Sequence, residues 1–425
     1  MFMIEYRNIE LYFLGGIMEK LFNVINVDEN DRIGNLKSEA HSVVRSTKYF
    51  PIYNIGGKKM IFKPLSKTKP LTTPLFSYSE VYWSYIINKY FDPTAPRYYL
   101  ATSSVIEKEQ QKYYSQGVLV ESLTPNDERL INLYDYFMEN PDSSFDIKDY
   151  ENYCMMNYDY TIILESNFIK NNKEIGEGLA YQILLSMLRQ DQNFHYENVN
   201  FILNGGTLSL APPIDFEFST PFLYPDIRRL NLFEREKYIE SLKIADDNDE
   251  IDTINYFLKS IGMQPISTAS NKLRCNLCTI IKNYPEVVVE FTKQLDSLII
   301  DLPDIKINDP DHYIGKLNSD YWEVWHAFFK ENDLNKSEEL KNMYPLQEIN
   351  KDEVFGRISS DILSYSIELN MLLKTYLMAY YSGIEDIENM TMRDFYSKLS
   401  VANDEEIKDI DLVNKKLKLK KKETK

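Results

Sequence analysis

At 425 residues the chain is long enough for two or three domains or one large two-lobed unit, which excludes a small disulfide- or metal-stapled scaffold. Lys plus Arg number 48 against 65 Asp plus Glu, and the resulting net charge of −17 repels phosphate backbones and anionic lipid, which argues against direct nucleic-acid binding. Hydrophobic residues at 44%, with 32 Tyr and 22 Phe, suffice for a core, while only three cysteines (Cys154, Cys275, Cys278) point to a reducing, cytoplasmic setting and against a disulfide framework.

No run of about 18 apolar residues exists, so no spanning helix is expected. The apolar segment Ile9–Ile17 is flanked by Glu5, Glu10 and Glu19 with no basic region before it, which fits a signal peptide poorly, and Met18 is an alternative start. Residues 1–32 are therefore read as an N-terminal extension. From Ser42 to Pro64, β-branched and aromatic residues around Asn54-Ile55-Gly56-Gly57 predict a hairpin. After a Pro/Thr-rich loop, the spacing of Val81, Tyr85 and Ile86 predicts one helix over 76–91. The stretches RYYLATSSVIE and KYYSQGVLVESL read as further strands, so residues 33–123 form a small lobe of strands with a single helix.

Beyond Asn126 the periodicity is mostly helical, most clearly at 174–190, where Ile183, Leu184, Met187 and Leu188 share a face. One hairpin interrupts it at 199–210, turning at Asn204-Gly205-Gly206 and leading into Ala211-Pro212-Pro213-Ile214-Asp215. Residues 124–405 make a larger helical lobe. The chain closes at 406–425 with a basic tail whose last eleven residues hold seven Lys.

Two constellations carry chemistry. Lys63 ends the hairpin strand just before Pro64, and Glu80 follows seventeen residues later on the next helix. A strand lysine oriented by a helical glutamate suits nucleotide phosphates, because the carboxylate fixes an otherwise floppy ammonium. Ser77-x-x-Glu80 is equally a capping box, in which the glutamate serves only a backbone donor. The second constellation is a loop with His195 and Asn198, then the hairpin, then Asp215. Asn198 and Asp215 are oxygen ligands of the kind Mg²⁺ takes, while the plainer reading has His195 and Asn198 tie down a loop and Asp215 solvate a turn.

The order of these pieces resembles the HipA-like serine/threonine kinases, toxin-type members of the protein-kinase-like superfamily, over residues 40–230. The resemblance rests on FPIYNIGGKKMIFKP around Lys63, SEVYWSYI around Glu80, GVLVES at 117–122, HYEN at 195–198 and LAPPIDF with its Asp215. It implies an α+β, bilobal fold with ATP and Mg²⁺ between the lobes. Lys63 would contact phosphates and Glu80 would orient it. Ser46 and Thr47, in the loop Arg45–Lys48, would cover the phosphates, the backbone of Val118 to Val120 would receive adenine, and Asn198 and Asp215 would hold Mg²⁺. His195 would brace the catalytic loop.

One position departs from the family. Where an Asp should accept the substrate hydroxyl proton stands Asn193, and an amide is not a base. Asp191 substitutes only if the loop is re-registered, since it lies seven residues before Asn198 and the pattern calls for five. The expected function is phosphorylation of a protein Ser or Thr, including a site on the chain itself. The alternatives are a nucleotide-binding pseudokinase and a small-molecule kinase, and an antitoxin-like protein partner is implied by the resemblance alone. Outside this set, Cys275 and Cys278 read as two helical thiols rather than half a zinc site, and Asp246–Asp252 as a solvated loop. Trp322, Trp325 and Phe329 share one helix face.

Overall fold

The computed structural model describes residues 21–39, 47–64, 74–103, 107–108, 111–112, 115–124, 128–144, 160–191, 194, 196, 198–216, 219, 222, 276–308 and 351–383. Ser46, Asn193, His195, Cys275, the acidic run, the tryptophan face and the lysine tail lie outside them.

The first lobe is a six-stranded sheet of β1 (Val24–Val27), β2 (Arg32–Glu39), β3 (Thr47–Ile55), β4 (Lys58–Pro64), β5 (Tyr98–Ser103) and β8 (Ser115–Glu121), in the order β1-β5-β8-β4-β3-β2. A separate two-residue pair, β6 (Glu107–Lys108) and β7 (Gln111–Lys112), lies between β5 and β8 in the chain. Every neighbour in the large sheet is antiparallel except β1 and β5. The β3–β4 hairpin turns at Gly56 and Gly57, whose φ angles of 59° and 81° are the left-handed pair a two-residue turn demands and only glycine supplies freely. Helix α1 (Pro74–Ile86) opens on a proline, whose missing N–H is no loss at a first helical position, and runs into one π turn at Ile87–Phe91.

Side chains alternate across the sheet as strand geometry requires. Tyr53, Met60, Phe62, Ala101 and Leu119 build a small core on one face, while Tyr98, Leu100 and Val118 join the main core on the other, beneath α1. Lys63, the neighbour of Phe62, is thereby turned to the α1 face. Residues 22–27, assigned from sequence to an extension, are part of this lobe: Phe22 is wholly buried and β1 pairs with β5. A four-residue parallel strand whose partner lies about 75 residues away leaves no local turn signal to read.

The second lobe has a three-stranded antiparallel sheet, β11-β10-β9, in which β10 (Asn200–Asn204) and β11 (Thr207–Leu210) are the expected hairpin and β9 (Arg129–Asn132) is an added strand. Around it lie α2 (Leu133–Glu139), the short α3 (Thr161–Leu164) and α4 (Asn167–Asn171), and then α5 (Lys173–Arg189), followed by a helix at 276–283 that we call α6, α7 (Pro285–Asp301) and α8 (Lys351–Tyr381). One apolar core runs from Phe22 through α1 and α5 to α8. The architecture is α+β and two-lobed. No helix among the described residues is long and apolar enough to cross a membrane.

Close packing of α5 explains its glycines. A Cβ on Gly176 would stand 2.4 Å from Tyr284 Oη and 2.7 Å from Ile169 Cγ2. Gly176→Val is expected to destabilise the fold by about 1–3 kcal/mol, because overpacking outweighs the sub-kcal gain in helix propensity. Chemical denaturation of the two proteins checks this.

Candidate active site

Glu80 is the centre of the site. It lies inside α1, only 2% exposed, and its two oxygens face different segments. Oε1 accepts a bond of 2.5 Å from Lys63 Nζ, and Oε2 accepts one of 2.7 Å from the Phe216 N–H. The adjacent Ser79 hydroxyl donates to the Phe216 carbonyl, so α1 grips that residue's main chain on both sides. Lys63 Nζ also binds Asp215 Oδ1. Asp215 has a φ of 61°, a left-handed conformation that costs an L residue about 1–2 kcal/mol and that Asp tolerates better than most. Its N–H donates to the Tyr98 hydroxyl at 3.3 Å. Burial, followed by the nearby Glu80 charge, pushes that phenol far above its ordinary pKa, so it stays neutral.

The catalytic-loop side begins at the end of α5. Gln190 takes a left-handed φ of 51°, the Gln190 N–H bonds the Met187 carbonyl and the Asp191 N–H bonds the Ser186 carbonyl, which together close the helix as a Schellman motif. The reversal brings Asp191 back beside Arg189: their side chains, each 2% exposed, pair at 2.7 Å. Asp191 also forms a β-bridge with Ser219, whose hydroxyl donates to the Arg189 carbonyl and accepts from Trp83 Nε1. Downstream, Asn198 is half-buried and leads directly into β10, while β11 leads out through Ala211 to Asp215. Gln182 on α5 anchors the exit by donating to the Ala211 carbonyl at 2.7 Å.

The structure thus brings Lys63, Glu80 and Asp215 into one bonded cluster, with Asn198 and Asp215 flanking the same hairpin. Two readings are corrected. Ser77-x-x-Glu80 is not a capping box, because α1 begins at Pro74 and the Glu80 carboxylate is taken by Lys63 and Phe216. Val118 and Val120 do not offer their backbone to adenine: β8 is an interior strand paired to β4 on one side and β5 on the other, which commits those groups to ladders. The Glu121 and Ser122 N–H groups are used as well, by the Arg97 and Lys59 carbonyls, so the first N–H past these bonds is that of Leu123. For Thr47 only the backbone, at the start of β3, is described. The sequence reading missed Ser79, Tyr98, Arg189, Phe216 and Ser219. Ser79 and Phe216 sit next to residues it named, but no spacing rule singles out the other three.

The donor set suits Mg²⁺ rather than a soft metal. Asp215 and Asn198 supply hard oxygens, and the Asp215 carboxylate already faces a cation, the Lys63 ammonium. No group of three His, Cys, Asp or Glu side chains that could hold a metal occurs among the described residues. Lys63 at 24% and Asp215 at 23% exposure remain reachable from solvent.

No family model matches the chain, and no curated protein matches it. Among solved structures it is similar to the Helicobacter pylori proinflammatory kinase CtkA, with 11% identity and a TM-score of 0.35 over 78% of this chain and 95% of that one. A likeness of that degree carries no functional weight.

A glutamine serves a capping box nearly as well as a glutamate, but it lacks the charge that Lys63 meets here. Glu80→Gln is therefore expected to lower stability by about 1.5–3 kcal/mol in urea titration, the range for a hydrogen bond to a charged group. A change of a few tenths would mean the ion pair contributes little.

Proposed function

We propose that the chain is an ATP- and Mg²⁺-dependent phosphotransferase acting on a protein Ser or Thr hydroxyl, with its own chain among the substrates. The observation that carries this reading is the bonded cluster of Lys63, Glu80 and Asp215, held by the Phe216 main chain. When bound, Mg·ATP supplies the transferable phosphoryl group and neutralises its charge. Lys63 holds phosphate oxygens while Glu80 keeps its ammonium in place, Asp215 and Asn198 hold the metal, and the main chain at Leu123 receives the adenine edge. The family resemblance alone assigns the covering of the phosphates to Ser46 and Thr47 and the bracing of the loop to His195, whose side chains lie outside the described residues. An antitoxin-like partner and a cytoplasmic location rest on the family resemblance and on cysteine usage respectively.

A second reading, a nucleotide-binding pseudokinase, is favoured by a specific observation. Asn193 stands where the base belongs, and the nearest carboxylate upstream, Asp191, is buried against Arg189. A carboxylate held by a guanidinium is a poor proton acceptor. Because phosphoryl transfer passes through a loose transition state, positioning by Lys63, Asn198 and Asp215 still supports slow turnover without a strong base.

Intact-mass spectrometry after incubation with ATP and Mg²⁺, with ADP release followed in the same samples, separates the readings. Phosphate gain or ADP release in the wild type, lost in Asp215→Ala, is the expected result, and incorporation undiminished in that variant would sink the proposal. Nucleotide binding with no turnover, together with activity appearing in Asn193→Asp, would establish the pseudokinase; the gain expected from a restored base is roughly 10²-fold or more.

A further inference from the structure

Arg189 is a cation almost shut off from water. Only Nη2 of its guanidinium is paired, to Asp191 Oδ2 at 2.7 Å, while Nε and Nη1 find no hydrogen-bond partner among the described residues. A buried guanidinium left partly unsatisfied is unfavourable, and core packing alone would be better served at this position by an apolar residue of similar volume. What the guanidinium does there is touch both segments of the candidate site. Its Cζ lies 4.6 Å from the centroid of the Phe216 ring, and the main-chain carbonyl of the same residue accepts the Ser219 hydroxyl. The loop that reaches Asn198 starts at Asp191, and the segment that carries Asp215 continues through Phe216 to Ser219. One residue therefore clasps the start of one segment and the end of the other.

We infer that Arg189 is a positioning residue for the metal-binding pair Asn198 and Asp215. Through Asp191 its guanidinium sets the entry of the loop, and through the Phe216 ring it sets the segment whose main chain α1 also holds. The inference rests on the nucleotide and metal reading given above and adds to it a residue that touches neither ligand. Phe216 is the joint: its main chain answers to Glu80 and Ser79, and its ring to Arg189 and Tyr98.

The test is Mn²⁺ binding to the full chain in the presence of ADP, read by electron paramagnetic resonance, beside thermal unfolding of the same samples. It is run at a temperature where circular dichroism shows every variant folded. Arg189→Met fills the volume but removes the charge and the planar group, and Arg189→Met combined with Asp191→Asn also removes the carboxylate left without its cation. The single variant is expected to bind Mn²⁺ with ADP about 10- to 100-fold more weakly, the usual loss when a group behind a metal ligand is removed. In the double variant Tm is expected to rise back toward wild type while the Mn²⁺ affinity stays low. Wild-type affinity in the single variant, or affinity that recovers together with Tm in the double, would overturn the inference and leave Arg189 as a counter-charge for Asp191. Wild-type protein that binds neither ADP nor Mn²⁺ is a different failure: it overturns the nucleotide reading itself, and this inference with it.

Discussion

A carboxylate with almost no solvent access must meet a cation or hydrogen-bond donors on its oxygens, because a bare charge in the interior costs several kcal/mol. Glu80 meets Lys63 on one oxygen and the Phe216 N–H on the other, and those two groups come from β4 and from the segment after the β10–β11 hairpin. Three parts of the chain are therefore tied to one side chain, and the site exists only while all three are docked. Such a buried pair adds little net stability compared with an apolar substitute. Its effect is geometric: it dictates where the ammonium of Lys63 and the carboxylate of Asp215 are found.

The helix that carries Glu80 is itself held along its length. Near its start, Tyr78 stacks between Phe22 and Phe355, joining α1 to the segment before β1 and to α8. In its middle, Ser79 and Trp83 reach the Phe216 carbonyl and the Ser219 hydroxyl. At its end the π turn places Phe91 against Phe291, with the Tyr181 hydroxyl donating to the Phe91 carbonyl and the Tyr90 hydroxyl to Asp301. Burial, followed by the Asp301 hydrogen bond, pushes Tyr90 up to about 12, which keeps this last donor protonated through the working pH range. A widened turn often marks a place where a helix accommodates a second requirement, and here the helix packs under one sheet while its end docks onto α5 and α7. On the far side, the Tyr365 hydroxyl of α8 donates to the Met187 carbonyl, within the last turn of α5 before Arg189. The site is thus braced from both lobes by aromatic rings and hydroxyls, a use that fits the abundance of tyrosine.

Local signals were readable wherever the chemistry is local. The two glycine-pair hairpins, the long amphipathic α5 and the existence of α1 follow from turn conformation and periodicity, and the structure contains all of them. Lys63, Glu80 and Asp215 were named from their order alone, and they meet in space. The errors have different causes. β1 and β9 are four-residue strands that pair with residues distant in sequence, so neither carries a turn or a long alternation. The role of Glu80 was ambiguous because a capping box and an ion pair use the same two residue types. Val118 and Val120 looked available because a sequence does not state whether a strand lies inside a sheet or at its edge. Asp191 looked like a spare base because nothing in Arg189-Gln190-Asp191 foretells that a left-handed Gln190 folds the acid back onto the arginine.

By itself the amino-acid sequence determined the class of the fold, the position of its turns and the types of side chain available for phosphate and metal chemistry, since these depend on contacts between residues close in the chain. It also determined that an amide stands at the expected base. Tertiary structure decided which of those side chains share a bond, which backbone groups are already spent in ladders, and that Arg189 lies between the loop and the Asp215 segment. Those outcomes depend on contacts that range from 17 residues apart, for Lys63 and Glu80, to 136 for Glu80 and Phe216, where burial turns a common pair of residue types into a single permitted geometry.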